Sequence, residues 1–224
     1  MSTLTEKGTR SIIEFSGSIE SAEAIAVSYK CLHGANPKEL GYFMAIWQGT
    51  QIDDLSKAKQ VQVIKTIDRD GDTTFEGLSL SSVDYIVGFG VNSEDGHSIC
   101  ATLAVPAKAE QGEELESTWS TLDVTKVGSN NLSAAFVTPT YNLAKSNDNW
   151  IALFEGPLTA NMYKGKNVIK TAKVTIDQDQ GITAMNEIIP GLKRYTTYTL
   201  VYGMGLKENK IDYSNMISAY TFKA

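Results

Sequence analysis

Residues 149–157 read NWIALFEGP, and residues 42–50 read YFMAIWQGT. Both are short apolar runs in which aromatic and aliphatic side chains fall at matching places, and a glycine closes each. A displacement of 107 residues superposes them: Phe43, Ala45 and Trp47 fall on Trp150, Ala152 and Phe154, and Gly49 falls on Gly156. The match extends outward. Ile25, Val27 and Tyr29 fall on Leu132, Ala134 and Phe136, with no gap from Ser21 to Ile52. Two extra residues in the second copy then bring TID at 66–68 onto TID at 175–177, and later YIVGFG at 85–90 aligns with YTLVYG at 198–203. Self-similarity on this scale is an internal duplication of a folding unit. It predicts two domains of similar size, residues 1–108 and 109–224. The seam falls in AKAEQGEELE at 107–116, a polar, charged stretch poor in β-branched residues.

Within each copy the hydrophobic period is two. IAVSY at 25–29, ICATLAV at 99–105 and AKVTI at 172–176 alternate, are rich in Val, Ile, Thr and aromatics, and are bounded by turn residues. That pattern marks half-buried strands. Helical periodicity is weak, and only DDLSKAKQ at 53–60 would make a turn or two. The predicted class is all-β, with two antiparallel sheets packed face to face in each domain.

GLKRYTTYTLVYGMG at 191–205 resembles the late-strand region of fibronectin type III domains: Leu192 is followed six residues on by Tyr198, which opens an alternating strand. NLSAAFVTP at 131–139 resembles the family's second strand, with Phe136 where the family usually has Trp. GYFMAIWQG at 41–49 resembles its third strand. The resemblance covers most of both copies and implies tandem immunoglobulin-like, fibronectin type III-like β-sandwiches with a binding or spacer role and no catalytic residues. It also implies that the Tyr hydroxyl bonds backbone at the strand corner while its ring packs in the core. The first copy departs from the pattern, since Leu78 stands seven residues before Tyr85.

Composition bounds the function. The chain has 224 residues, 42% hydrophobic and 21% charged, enough to bury a core. Its net charge is -6 and it has no basic run, which argues against nucleic acid and anionic membrane surfaces as partners. No stretch approaches the roughly 18 apolar residues that would span a bilayer. The start, MSTLTEKGTRSIIEF, does not read as a signal peptide, so the expected compartment is the cytoplasm, with export by a non-classical route as the alternative. Two cysteines are too few for a disulfide framework, and free thiols are expected.

Three groups of residues are candidate sites. The third strands are apolar on both faces, so one face must be covered by a loop or the other domain, or else be sticky. On the second view Met44, Ile46, Ile151 and Leu153 dock a protein partner or a second copy. All cysteines and histidines lie in the first copy, in CLH at 31–33 and HSIC at 97–100. Cys31, His33, His97 and Cys100 are the donor set a zinc ion would use, although alternation points Cys31 inward and Cys100 outward. DRDGD at 68–72 supplies Asp68, Asp70 and Asp72, the hard oxygens calcium prefers, but without EF-hand spacing; turn chemistry accounts for the same string. With His33, Glu94, Asp95 and His97 these residues would form one loop pole able to take a ligand, including a glycan. No cofactor is required by this reading, and calcium and zinc are the metals it considers. Enzymatic motifs are lacking: there is no G-x-S-x-G, no H-E-x-x-H, and GFGVNS and GMGLKE fall short of a dinucleotide fingerprint. The expected function is therefore non-catalytic binding or assembly, with self-association. The competing readings are a glycan- or calcium-dependent adhesive or toxin-like protein, and an enzyme working at the domain junction.

Overall fold

The computed structural model describes residues 8–92 and 98–224. It forms two compact units. The first holds residues 13–31, 36–92 and 98–119; the second holds residues 8–12, 32–35 and 120–224. The chain thus passes from the second unit into the first after Ile12, revisits the second at residues 32–35, and returns to it after Trp119. The linker-like stretch at 107–116 lies just ahead of that second passage.

In the first unit, β2 (Glu14–Ser21), β3 (Ala24–Lys30) and β6 (Asp70–Phe75) form a sheet in the order β2-β3-β6. Facing it are β4 (Phe43–Gln48), β5 (Gln60–Val63), β7 (Tyr85–Gly90), β8 (Ile99–Val105) and β9 (Glu116–Trp119), in the order β5-β4-β7-β8-β9. The second unit repeats this. Its smaller sheet is β10 (Thr121–Val127), β11 (Leu132–Val137) and β14 (Gln180–Met185). Its larger sheet holds β12 (Trp150–Glu155), β13 (Val168–Lys173), β15 (Thr197–Gly203) and β18 (Met216–Lys223), closed by β1 (Thr9–Ile12), in the order β1-β18-β15-β12-β13. All pairings are antiparallel. Setting aside the extra edge strands β9 and β1, each unit is a three-on-four sandwich of the fibronectin type III kind.

Alternation builds the cores. In β3, Ile25, Val27 and Tyr29 point inward while Ser28 faces solvent. Phe89 on β7 meets Phe15 and Tyr29 of the opposite sheet, with ring centroids 5.8 and 5.6 Å apart. The equivalent Tyr202 on β15 stacks on Phe136 at 5.3 Å. Both tyrosine corners form. The backbone N–H of Lys193 donates to the Tyr198 hydroxyl at 2.9 Å, and that of Ser79 donates to the Tyr85 hydroxyl at 3.1 Å. In each copy the donor is the residue after the corner leucine, so the first copy's extra residue is absorbed between donor and tyrosine without loss of the bond.

Candidate functional site

Met44, Ile46, Ile151 and Leu153 are at most 3% exposed. Met44 and Ile46 stand opposite Phe89 and Val87, and Ile151 and Leu153 stand opposite Tyr202 and Leu200. Phe89 and Tyr202 face the smaller sheet of their own unit, so these four side chains belong to the sandwich interiors and offer no docking surface. The other face of β4 and β12 is the outer one, and local segments take part in covering it. The Trp47 indole donates to the Asp54 carbonyl at 3.2 Å, beside a 3-10 turn at Leu55–Lys57. The Trp150 indole donates to the Gly205 carbonyl at 3.0 Å, and Trp150 and Phe154 both meet the Tyr213 ring edge-on. The segment carrying Tyr213 follows the small hairpin of β16 (Leu206–Lys207) and β17 (Lys210–Ile211).

Cys31 and Cys100 are both buried, against the expectation for Cys100. Gly90 pairs with Ile99 and Phe89 with Ala101, which leaves Cys100 as the extra residue of a β-bulge. Its thiol turns toward the Phe89 carbonyl, 3.5 Å away. Burial pushes the Cys31 thiol up to about 12, Arg69 partly offsets this, and Asp70 adds to it. Burial, and then the neighbouring Cys31, raise Cys100 well above its usual value. His33 is exposed in the segment 32–35, which belongs to the second unit, where Gly34 lies against the backbone of Thr159 and Ala160. Glu94, Asp95 and His97 lie outside the described residues.

Asp68, Asp70 and Asp72 are exposed. Asp68 closes a turn with the Thr66 hydroxyl at 3.0 Å, whereas Asp70 and Asp72 are strand residues opposite Lys30 and Ser28. The string is therefore half turn and half strand, and within it the Arg69 carbonyl accepts the Cys31 N–H at 2.7 Å, two residues before His33. Among the described residues no group of three or more His, Cys, Asp or Glu is placed to hold a metal ion.

The first unit carries a groove of about 390 Å³ beside β7, β8 and the strap at 113–116, lined by Tyr85, Pro106, Asp84, Glu113, Glu114 and Glu116 among others. Two of its carboxylates are engaged in turns: Asp84 accepts the Ala107 N–H at 2.6 Å, and Glu113 accepts the Glu110 N–H at 2.9 Å.

A different surface stands out on the second unit. Residues 186–196 join β14 to β15 and present Ile189 and Tyr195, which are 81% and 83% exposed. Lys193 and Arg194, also exposed, lie between them. The loop backbone is tied down along its length. The N–H groups of Ile188 and Leu192 donate to the Asn130 and Ser129 carbonyls at 2.8 and 2.7 Å, and the Tyr195 N–H donates to the Ala224 carbonyl at 2.5 Å. Glu187 and Tyr195 hold φ of 54° and 61°. A bulky residue kept in the left-handed region costs about 1–3 kcal/mol and persists only where its surroundings enforce it. The corresponding loop of the first unit does the opposite: Leu78 and Leu80 turn inward, 3% and 1% exposed, and Ser79, Ser81, Ser82 and Asp84 are polar.

No protein-family model matches this chain, and no curated protein matches it. Among solved structures, the FN1–FN3 domains of chicken CNTN1 are similar at 12% identity with a TM-score of 0.28. That alignment covers 95% of this chain and 66% of the chicken chain. The fold of the present chain rests on its own strand order, register and tyrosine corners.

The exposed loop has a trace in the sequence. In EIIPGLKRYTTY at 187–198 two isoleucines precede Pro-Gly, and Tyr195 stands out of phase with the corner Tyr198. A strand entering at Tyr198 buries one tyrosine, and the other has no alternation to place it inside.

Proposed function

We propose that this chain is a non-catalytic binding module whose partner surface is the loop 186–196 of the second unit. The observation that carries this reading is the pair Ile189 and Tyr195, each more than four-fifths exposed on a backbone held by successive hydrogen bonds. Tyrosine and arginine are the side chains that most often anchor protein interfaces, and a pre-ordered loop loses little freedom on docking. Arg194 adds local positive charge to a chain of net charge -6, and beside it Lys193 is paired with Glu155 at 3.4 Å. The fitting partner is a protein with an apolar pocket rimmed by acidic groups. Two features support a role without catalysis: both thiols are buried in their protonated form, and the groove carboxylates Asp84 and Glu113 serve as backbone acceptors.

The test is a photo-reactive phenylalanine at position 195, irradiated in an extract of the cells that make the protein. A discrete protein adduct is expected, lost when Arg194→Glu is added and missing when the probe stands at exposed Lys207. Adducts that form equally at both positions, or that survive Arg194→Glu, would overturn the assignment.

A further inference from the structure

Each large sheet is completed by a strand that leads into the other unit. β9 lies beside β8, with Glu116 opposite Ala104 and Trp119 opposite Ala101, and after Trp119 the chain enters the second unit. β1 lies beside β18, with Thr9 opposite Thr221 and Ile12 opposite Ser218, and after Ile12 the chain enters the first unit. The displacement of 107 residues carries Thr9–Ile12 onto Glu116–Trp119, and the starts of β2 and β10 onto one another. The two short strands are therefore the same element of the repeat, used in the same way.

We propose that β1 is an exchangeable strand, and that a second copy of this chain supplies its own Thr9–Ile12 to the β18 edge to give head-to-tail assemblies. The pairing is directional: the edge of one repeat's last strand receives the leading strand of the next repeat. β8 receives it from the next repeat of the same chain. β18 receives it from the first repeat, so the sequence of donations closes on itself. A head-to-tail contact of this type closes into a ring or continues as an open chain, depending only on which copy makes the donation. The hydrogen bonds are the same in both cases, so concentration and the intramolecular effective concentration decide the balance.

β1 is also lightly held. It has four residues, none of them buried. Its side-chain anchors are the Arg10–Asp123 ion pair, with Arg10 Nε 3.0 Å from Asp123 Oδ1 on side chains 48% and 35% exposed, and the Ser218 hydroxyl, which donates to the Ser11 carbonyl at 3.3 Å. Exposed pairs of this kind contribute little. Withdrawal of β1 bares a row of unpaired N–H and C=O groups on β18, and such an edge templates another strand. Neither Ile189 nor Tyr195 takes part, so the exchange stands or falls separately from the loop surface.

The experiment uses full-length chains with single added cysteines. Thr9 and Thr221 are direct cross-strand partners, within disulfide reach. The native cysteines are buried. Thr9→Cys and Thr221→Cys chains of different tagged mass are mixed at rising concentration under mild oxidation. A disulfide joining the two masses is expected, increasing with concentration and retained in a Tyr195→Ala background. A Thr9→Cys chain mixed with Lys207→Cys should give none. The double variant Thr9→Cys/Thr221→Cys, oxidised when dilute, should close within one chain. The proposal is overturned if that double variant closes but the mixture never joins, even after the two chains are refolded together. It is equally overturned if the double variant fails to close, because β1 then does not occupy the β18 edge.

Discussion

Tyr85 and Tyr198 each accept one backbone N–H at their corner, from Ser79 and Lys193. Replacing either by Phe keeps the ring in the core and removes only the acceptor. The cost of stranding a partly buried donor is about 1–3 kcal/mol. Tyr85→Phe and Tyr198→Phe should each lower the urea midpoint with an unchanged slope; no shift in either would mean that the corners are incidental. The buried thiol and phenol give a second prediction. Cys31 rises from its ordinary 9.0 to about 12 by burial, and Tyr29 rises from 10.0 to about 12 by burial and then by Cys31, Asp68, Asp70 and Asp72. In the unfolded chain both lose their protons at the ordinary values, so the folded state binds more protons above about pH 9. Their contribution is fully present below the unfolded values and is lost as pH rises toward 12. Stability should be flat with respect to these groups through neutral pH and fall from about pH 9 upward, as measured by thermal melts across that range. Replacing Cys31 with Ala should flatten part of the fall.

Among the elements, the third strands decide the most. β4 and β12 are buried at every position but the last, so Ile46→Lys or Leu153→Lys puts a charge into a sandwich interior. Such a charge has no partner there, and the loss is expected at several kcal/mol. Near-ultraviolet circular dichroism should collapse, whereas a free docking face would have tolerated the change. The outer faces depend on glycine. Phe43 lies across Gly90 and Trp150 across Gly203, direct cross-strand pairs at the same place in both repeats. A methyl at either glycine would overlap the ring, so Gly90→Ala and Gly203→Ala should destabilise by about 1–3 kcal/mol. Equal melting of the wild type and either variant would show the rings free to move aside. These pairs explain why two apolar faces were visible in the sequence but their roles were not: both faces of β4 and β12 carry large apolar side chains, and periodicity alone does not tell an interior from a surface covered by its own loops.

For the whole molecule, the route of the chain matters more than the content of either unit. β1 and β18 meet across 207 residues of sequence, as between Ser11 and Ser218, so their pairing closes a very long loop. It offers a short, exposed strand in return. Amide exchange should therefore show Thr9–Ile12 opening well before β12 and β15, which are paired on both sides within their sheet. Protection of β1 equal to that of β15 would contradict both this ordering and the ease of exchange.

The sequence by itself determined the duplication, the all-β class, the positions of the third strands and the corner tyrosine of the second copy. Each of these depends on local spacing: a period of two, a glycine stop, or a leucine a few residues before a tyrosine. Only the tertiary structure decided that Met44, Ile46, Ile151 and Leu153 face inward, that a bulge turns Cys100 inside, that Ile189 and Tyr195 are left outside, and that β1 completes the sheet of the second unit. Those outcomes depend on which strand lies across from which and in what register, and register is set by packing between segments far apart in the chain, which no short window of sequence contains.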